Sequence, residues 1–356
     1  MPMLAEQYDY VIGGDPDRDT IDLAVLDATS AGVRAHLAQT ADGAGYVRMR
    51  SWARQHAPGA RVWALEGTGN YGAGIASFLA EAGEDVVEID RVKRVRRGGK
   101  NDQIDAVRAA REALSREIQV NPRQRGLREA MRVVLTTRHA VLVSRTKAIN
   151  ELKALIVTAP EHLRGELRGS PLATQLARIE HLHVNSASTV EHRMTIFALR
   201  SVAARISFLN DQVAELDPQL ALLVHAHPAG QALLDEPGVG PVVAAQLLIS
   251  WSHPGRVRGE AAFAALAGVS PLEASSGQRA RHRLNRSGDR ALNRALHTVA
   301  LTRLRCHPET HQYADRRTRE GKTHREIKRC LKRTIARRLY RRIQAAAAPP
   351  GQPAQA

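Results

Sequence analysis

Five short apolar runs of strand type lie in the N-terminal part of the chain, and their order limits the folds open to it. Three runs are separated only by turn residues, which predicts an antiparallel meander. Helical and strand patterns then alternate, which favours a mixed α/β domain. The predicted strands are 8–14, 20–28, 32–40, 61–66 and 84–89, and the predicted helices are 41–56, 71–82 and 102–115.

This order of elements is typical of a ribonuclease-H-like nuclease domain, in which the first and fourth strands are neighbours. Asp15 follows the first strand run and Glu66 ends the fourth, so such a fold would bring the two carboxylates together. Asp102 and Asp105 lie three residues apart at the start of the third helix, on one helix face. The sequence therefore predicts a cluster of four acids.

Two like charges held one helical turn apart repel each other unless a cation lies between them. An all-oxygen donor set of carboxylates suits Mg²⁺ or Mn²⁺. We therefore predict a metal site formed by Asp15, Glu66, Asp102 and Asp105. The alternative is that Asp102 is only a helix N-terminal acid and Asp105 its solvated neighbour.

The overall composition indicates an intracellular protein that binds a polyanion. A chain of 356 residues suggests two or three domains. Cys306 and Cys330 offer neither a disulfide framework nor zinc-ligand spacing. Neither a membrane-spanning run nor a signal-peptide pattern is evident, so we expect a soluble, cytoplasmic protein. The formal net charge is +16.

The positive charge is concentrated near the C-terminus. Residues 279–342 contain 21 Lys and Arg against 5 Asp and Glu, which accounts for the whole excess. Such a segment predicts nucleic-acid binding rather than a merely solvated basic face. A second basic run precedes the helical acids at 91–100. The predicted phosphate-binding side chains are Arg94, Arg96, Arg97, Lys100, Arg279, Arg281, Arg283 and Arg286.

The middle of the chain, residues 117–230, is almost purely helical in pattern. Long helices are predicted at 125–157 and 173–223, and the second has apolar residues at spacings of three and four. That spacing fits a coiled-coil seam. The seam could belong to a helical hairpin within the chain or to a dimerisation arm, and the sequence does not separate the two.

Two glycine-containing turns could approach a phosphate. Residues 66–72 form a glycine-rich turn between a strand and a helix, which is a weak signal by itself. Gly238 and Gly240 lie in an apolar segment that resembles a helix–hairpin–helix element, whose backbone amides can hold a DNA phosphate. A plain connection between helices fits the second turn equally well.

The ordered set of these motifs resembles the IS-one-ten insertion-sequence transposases and the related pilin-gene invertases. The resemblance covers nearly the whole chain. It is carried by the segments Gly14-Asp15, Glu66–Tyr71, Lys100–Ala106, Pro237–Gly240, Ala267-Gly268, Pro271, Ser275–Gly277 and Gly288–Asn293.

This resemblance implies an N-terminal domain of the Holliday-junction-resolvase type with Asp15, Glu66, Asp102 and Asp105 as its acidic tetrad. It implies a helical dimerisation region, and a C-terminal domain whose nucleophile is Ser275, with Ser276 the alternative. In family members the two catalytic domains are thought to form composite sites across the subunits of a tetramer. Some members use a structured guide RNA.

The expected function is therefore that of a DNA transposase or recombinase. Its rivals are a metal-only junction-resolving nuclease and a non-catalytic architectural protein that binds nucleic acid. The expected domains are a catalytic α/β domain at 8–116, a helical region at 117–230 and a mostly α C-terminal domain at 231–344. A disordered tail is expected at 345–356.

Overall fold

The computed structural model describes residues 3–89, 102–117, 119–184, 188–273, 282–283, 285 and 287–347. The chain divides into two compact units, Met1–Arg125 and Gly126–Ala356. In the part of the chain that is described, no helix is both long enough and apolar enough to cross a lipid bilayer.

The first unit is a five-stranded sheet covered by helices. All eight predicted elements are confirmed, with ends that differ by at most two residues. The elements are α1 (Leu4–Gln7), β1 (Tyr10–Pro16), β2 (Thr20–Asp27), β3 (Val33–Thr40), α2 (Gly43–His56), β4 (Arg61–Glu66), α3 (Ala73–Glu81), β5 (Asp85–Ile89) and α4 (Asp102–Ser115).

The strand order across the sheet is β3-β2-β1-β4-β5. β1, β2 and β3 pair antiparallel, whereas β1, β4 and β5 pair parallel, so the predicted meander and the predicted neighbourhood of the first and fourth strands are both confirmed. The central strands are buried on both faces. One face packs on alanines of α4, and the other packs on α2 and α3 around Trp63.

Among the described residues of the second unit, the regular elements are helices and one pair of short antiparallel strands. Its elements are α5 (Leu127–Thr158), α6 (Glu161–Leu167), α7 (Leu172–Glu180), α8 (Val190–Ala226), α9 (Gly230–Leu234), α10 (Pro241–Trp251), α11 (Glu260–Leu266), β6 (Leu272–Glu273), β7 (His282–Arg283), α12 (Arg290–Cys306), α13 (Pro308–Arg319) and α14 (His324–Ala347).

The prediction of one helix over 173–223 is wrong, because α7 ends at Glu180 and α8 begins only at Val190. The Thr189 hydroxyl accepts a hydrogen bond from the backbone N–H of His192, which is the geometry of a helix N-cap. A threonine in the middle of a helical pattern was therefore the available signal for a new helix start. The polar helix α13 was also missed, since it buries little besides Thr310.

The apolar seam of α8 packs within the chain. Ile196, Leu199 and Ile206 are buried against α5 in a core that α6 and α7 complete. The hairpin interpretation is thus confirmed for this seam. A second, separate core joins α9–α12 and α14 around Trp251 and Phe263.

The buried carboxylate of Glu236 holds the C-terminal helices together. Its side chain is 1% exposed and lies 3.0 Å from Arg303 of α12, 2.8 Å from Arg338 and 2.9 Å from Arg342 of α14. Burial alone would raise the pKa of Glu236, but hydrogen bonds from Arg338 and Arg342 outweigh it, so the pKa lies below its ordinary value. The ion pairs therefore stabilise the fold at neutral pH, and their contribution is lost as the pH falls through that lowered pKa.

We predict that Glu236→Gln lowers the free energy of unfolding by about 3–5 kcal/mol, because it leaves buried Arg303 without its counter-ion. Chemical denaturation of the full chain at pH 7 measures the change. Glu260→Gln is the matched control, since Glu260 also pairs with two arginines of α14 but at the protein surface. Equal losses in the two variants would contradict the role given to the buried pair.

Candidate functional site

The first two acids of the candidate site lie at the carboxyl ends of adjacent parallel strands. Gly14 of β1 pairs with Leu65 of β4, so the next residues, Asp15 and Glu66, are neighbours at the same edge of the sheet. Side chains alternate between the faces of a strand. Both acids therefore share the face of Val11 and Ala64, which is the face that α4 covers.

The helix that carries the other two acids lies directly on β1. A Cβ atom at Gly13 would be 2.0 Å from the carbonyl oxygen of Ala106 and 2.7 Å from the backbone nitrogen of Ala110. Only glycine on the strand and alanine on the helix allow so close an approach. Asp105 directly precedes Ala106, and Asp15 is two residues beyond Gly13, so this contact brings helical and strand acids to one region.

Asp105 is mostly buried, with 14% of its side chain exposed, and Arg108 lies 2.6 Å from its Oδ1 atom. The salt bridge neutralises one carboxylate and fixes its rotamer within the first turns of α4. Asp102 is the first residue of α4, and its side chain lies outside the described part of the structure. The side chains that are described contain no group of three or more His, Cys, Asp or Glu close enough to hold a metal.

The donor chemistry nevertheless fits a hard divalent cation. Asp15 and Glu66 supply carboxylate oxygens at the sheet edge, and α4 adds two more carboxylates within one turn. Mg²⁺ and Mn²⁺ are the ions that such oxygen donors suit.

Asp22 is an acid at this edge that the sequence analysis missed. It pairs with Asp15 across the antiparallel β1–β2 ladder. Residues directly opposite in such a ladder have Cβ atoms about 4.5–5.5 Å apart and project from the same face. Asp22 therefore adds negative charge beside Asp15, and only the register of the two strands could have revealed it.

The glycine-rich turn after Glu66 needs two of its glycines. Gly67 has φ +58°, a left-handed conformation that other residues adopt at a cost. A Cβ atom at Gly72 would be 2.6 Å from the carbonyl oxygen of Glu66. The backbone N–H groups of Asn70 and Gly72 both donate to the carbonyl oxygen of Gly67, so the turn folds back on itself just beyond the acidic edge.

The turn of the expected helix–hairpin–helix element lies between α9 and α10. Gly238 has φ +79°, and its Cα faces Thr302 and the carbonyl oxygen of Val299 on α12. Arg303 donates to the carbonyl oxygen of Pro237 at 2.7 Å. One side of this turn is thus occupied by α12, and the open space is at Gly240, which caps α10.

The candidate nucleophile and most candidate phosphate-binding arginines cannot be placed. Ser275 and Ser276 fall in sequence between β6 and β7, a hairpin in which Leu272 pairs with Arg283 and Glu273 with His282. The side chain of Arg283 is not described. The following residues lie outside the described residues altogether: Ser275, Ser276, Arg94, Arg96, Arg97, Lys100, Arg279, Arg281 and Arg286.

Two family profiles of known proteins match this chain. A family profile described as a transposase, of the DEDD IS110 type, matches residues 12–159 and thus contains all four candidate acids. A second profile, described as the Transposase IS116/IS110/IS902 family, matches residues 230–315 and contains the candidate serines.

Three curated relatives also match parts of this chain. An uncharacterised 43.6 kDa protein of insertion element IS110 from Streptomyces coelicolor is 33% identical over 35% of this chain and 31% of its own length. A Sinorhizobium fredii protein named as a candidate transposase is 29% identical over 58% of this chain and 51% of its own length. An uncharacterised 42 kDa protein of insertion element IS900 from Mycobacterium paratuberculosis is 27% identical over 43% and 37%.

The matched stretches thus span about a third to a half of the length of these relatives. The two family profiles lie in the order that the sequence motifs predict, one over the acidic domain and one over the C-terminal helices. The chain belongs to the IS110 family of insertion-element transposases.

Proposed function

We propose that this chain is a DNA transposase or recombinase that cuts and rejoins phosphodiester bonds at the ends of an insertion element. The observation that carries the proposal is the sheet edge where Asp15 and Glu66 lie side by side beneath the acid-bearing helix α4. The strand order β3-β2-β1-β4-β5 with helices on both faces supports a ribonuclease-H-like catalytic domain.

In this proposal Asp15, Glu66, Asp102 and Asp105 hold Mg²⁺ or Mn²⁺ beside the scissile phosphate. The bound ion would polarise a phosphate oxygen and stabilise the charge that develops in the transition state. Arg108 would orient Asp105 through its salt bridge. Asp22 would raise the negative charge at the edge and so favour cation binding.

The serine hydroxyl of Ser275 is the proposed nucleophile. Its oxygen forms a bond to phosphorus, its proton leaves, and the bond from phosphorus to one deoxyribose oxygen breaks as that oxygen takes up a proton. The product is a phosphoserine ester that keeps the energy of the original bond. Attack by the hydroxyl of another DNA end then rejoins the strand and releases the serine.

The proposed assembly is a homodimer or homotetramer. α8 buries one apolar seam within the chain, yet it leaves Met194, Phe197 and Phe208 exposed, and the exposed fraction of Phe197 is 70%. These residues recur at spacings that match a heptad pattern, which suits a second copy of the same helix. A structured guide RNA is a further proposed partner for the basic surfaces.

The proposed nucleic-acid surface includes α14 as well as the arginines of 91–100 and 279–286 and the turn at Gly240. Arginines recur every four residues along α14, in a row that winds slowly around the helix, at Arg325, Arg329, Arg333, Arg337 and Arg341. The last two pair with Glu260 of α11. Arg329 lies 4.0 Å from Glu326, so Arg325 and Arg333 are the members of this row for which no carboxylate partner is seen among the described residues.

We predict that the wild-type chain forms a covalent adduct with DNA that carries the ends of its element, and that Ser275→Ala forms none while still binding DNA. Denaturing gel electrophoresis with end-labelled DNA detects the adduct. Ser276→Ala is the matched control and should keep it. A mixture of Ser275→Ala with Asp102→Ala should regain activity if subunits share sites. A mixed oligomer can then form one complete site from the intact acids of one subunit and the intact serine of another.

Loss of the adduct in Ser276→Ala with retention in Ser275→Ala would move the nucleophile by one residue. Cleavage by the wild type without any adduct would replace the proposal with a metal-only nuclease. DNA binding without cleavage under any divalent cation would leave only an architectural role.

We predict that Arg333→Gln flattens the salt dependence of DNA binding, whereas Arg337→Gln, one turn further along α14, changes it less. Losing one phosphate contact reduces the slope of log K against log salt by about 0.9. Arg333 has no carboxylate partner among the described residues, while Arg337 is already paired with Glu260. Fluorescence anisotropy over a salt series measures both slopes, and identical slopes would place the binding surface elsewhere.

A further inference from the structure

The threonine in the turn beyond Glu66 has an unusual environment. Thr68 is 5% exposed, and its hydroxyl oxygen is buried without a hydrogen-bond partner. A buried hydroxyl without a partner costs free energy, so buried polar side chains in native proteins are nearly always paired. The position of Thr68, two residues beyond the candidate metal ligand Glu66, suggests that its partner arrives with the substrate.

A positive charge lies against the same turn. A Cβ atom at Gly69 would be 2.5 Å from Nη1 of Arg123, so the guanidinium rests on the bare Cα of this glycine. Arg123 comes from the segment after α4, which is held to β5 by a 2.7 Å hydrogen bond from the N–H of Glu88 to the carbonyl oxygen of Val120. Among the side chains that the structure describes, no carboxylate forms a salt bridge with Arg123.

A phosphate group has the chemistry to pair with both residues. Its oxygens accept hydrogen bonds from a hydroxyl and from the planar guanidinium, and its charge is opposite to that of Arg123. The ligand-binding edge of an open α/β sheet lies outside the carboxyl ends of its parallel strands, and the turn lies at that edge, next to Asp15 and Glu66. Glycines on both sides of Thr68 let the backbone adjust so that the hydroxyl can reach an oxygen.

We propose that Thr68 and Arg123 form a clamp for a backbone phosphate of DNA, beside the acidic edge. The clamp rests on the proposed function, because it positions the strand whose cleavage that function describes. Thr68 and Arg123 come from separate parts of the chain. Arg123 belongs to neither of the two basic segments, 91–100 and 279–342.

The first test replaces Thr68 with valine, which keeps the shape and removes the hydroxyl. Thr68→Val should leave the unfolding temperature unchanged or raise it, because a buried group without a partner is removed. It should weaken binding to a fluorescein-labelled DNA duplex by about tenfold, the effect of one hydrogen bond to a charged group. Thr68→Ser retains the hydroxyl and should bind like the wild type. The assay contains Ca²⁺ in place of Mg²⁺, so that binding is measured without cleavage.

The second test removes the guanidinium of Arg123 in one variant and displaces it in another. Arg123→Gln removes the charge, whereas Gly69→Ala keeps it but puts a methyl group where the guanidinium lies. Both should weaken binding of the same duplex by about tenfold, as expected for loss of a charge-assisted hydrogen bond. Arg125→Gln is the control for general loss of positive charge two residues along the chain, and it should change the affinity far less.

Wild-type affinity in Thr68→Val, or an equal loss in Arg125→Gln and Arg123→Gln, would overturn the clamp. Neither outcome tests the proposed function. The proposed function fails if the wild-type chain gives no cleavage and no covalent adduct. A destabilised Thr68→Val would show that the hydroxyl has a structural partner and would also overturn the clamp.

Discussion

The close contact between α4 and β1 determines the arrangement of the candidate site. Gly13 lacks a side chain and Ala106 has a small one, so the helix backbone rests on the strand backbone. Any larger residue at Gly13 would move the helix away from the sheet. The contact joins the two local patterns that carry acids, the end of β1 and the start of α4, which are about ninety positions apart in sequence.

Much of the first unit could be predicted from sequence because its signals are local. Short apolar runs bounded by turn residues predicted every strand of the sheet, and the positions of Asp15 and Glu66 followed from where those strands end. Asp22 and Arg123 could not be predicted, since one depends on the register between two strands and the other on a contact between distant segments. The break between α7 and α8 was missed because apolar spacing continues on both sides of it.

Part of the positive charge counted in the C-terminal segment is neutralised in the structure by ion pairs. The basic excess of 279–342 predicted a polyanion-binding element. In the structure, two acids from outside that segment neutralise part of it. Glu236 pairs with Arg303, Arg338 and Arg342, and Glu260 pairs with Arg337 and Arg341. α12 and α14 also supply buried core residues, so these helices combine a structural role with the proposed binding role.

The central claim is that the acidic edge binds a divalent cation, and titration calorimetry with Mg²⁺ in the absence of DNA tests it most directly. The account predicts binding by the wild-type chain and loss of binding in Asp105→Ala. Glu112→Ala, which removes another acid of α4 that pairs with Arg116, should bind as the wild type does. Equal Mg²⁺ binding by all three proteins, or none by the wild type, would contradict the account.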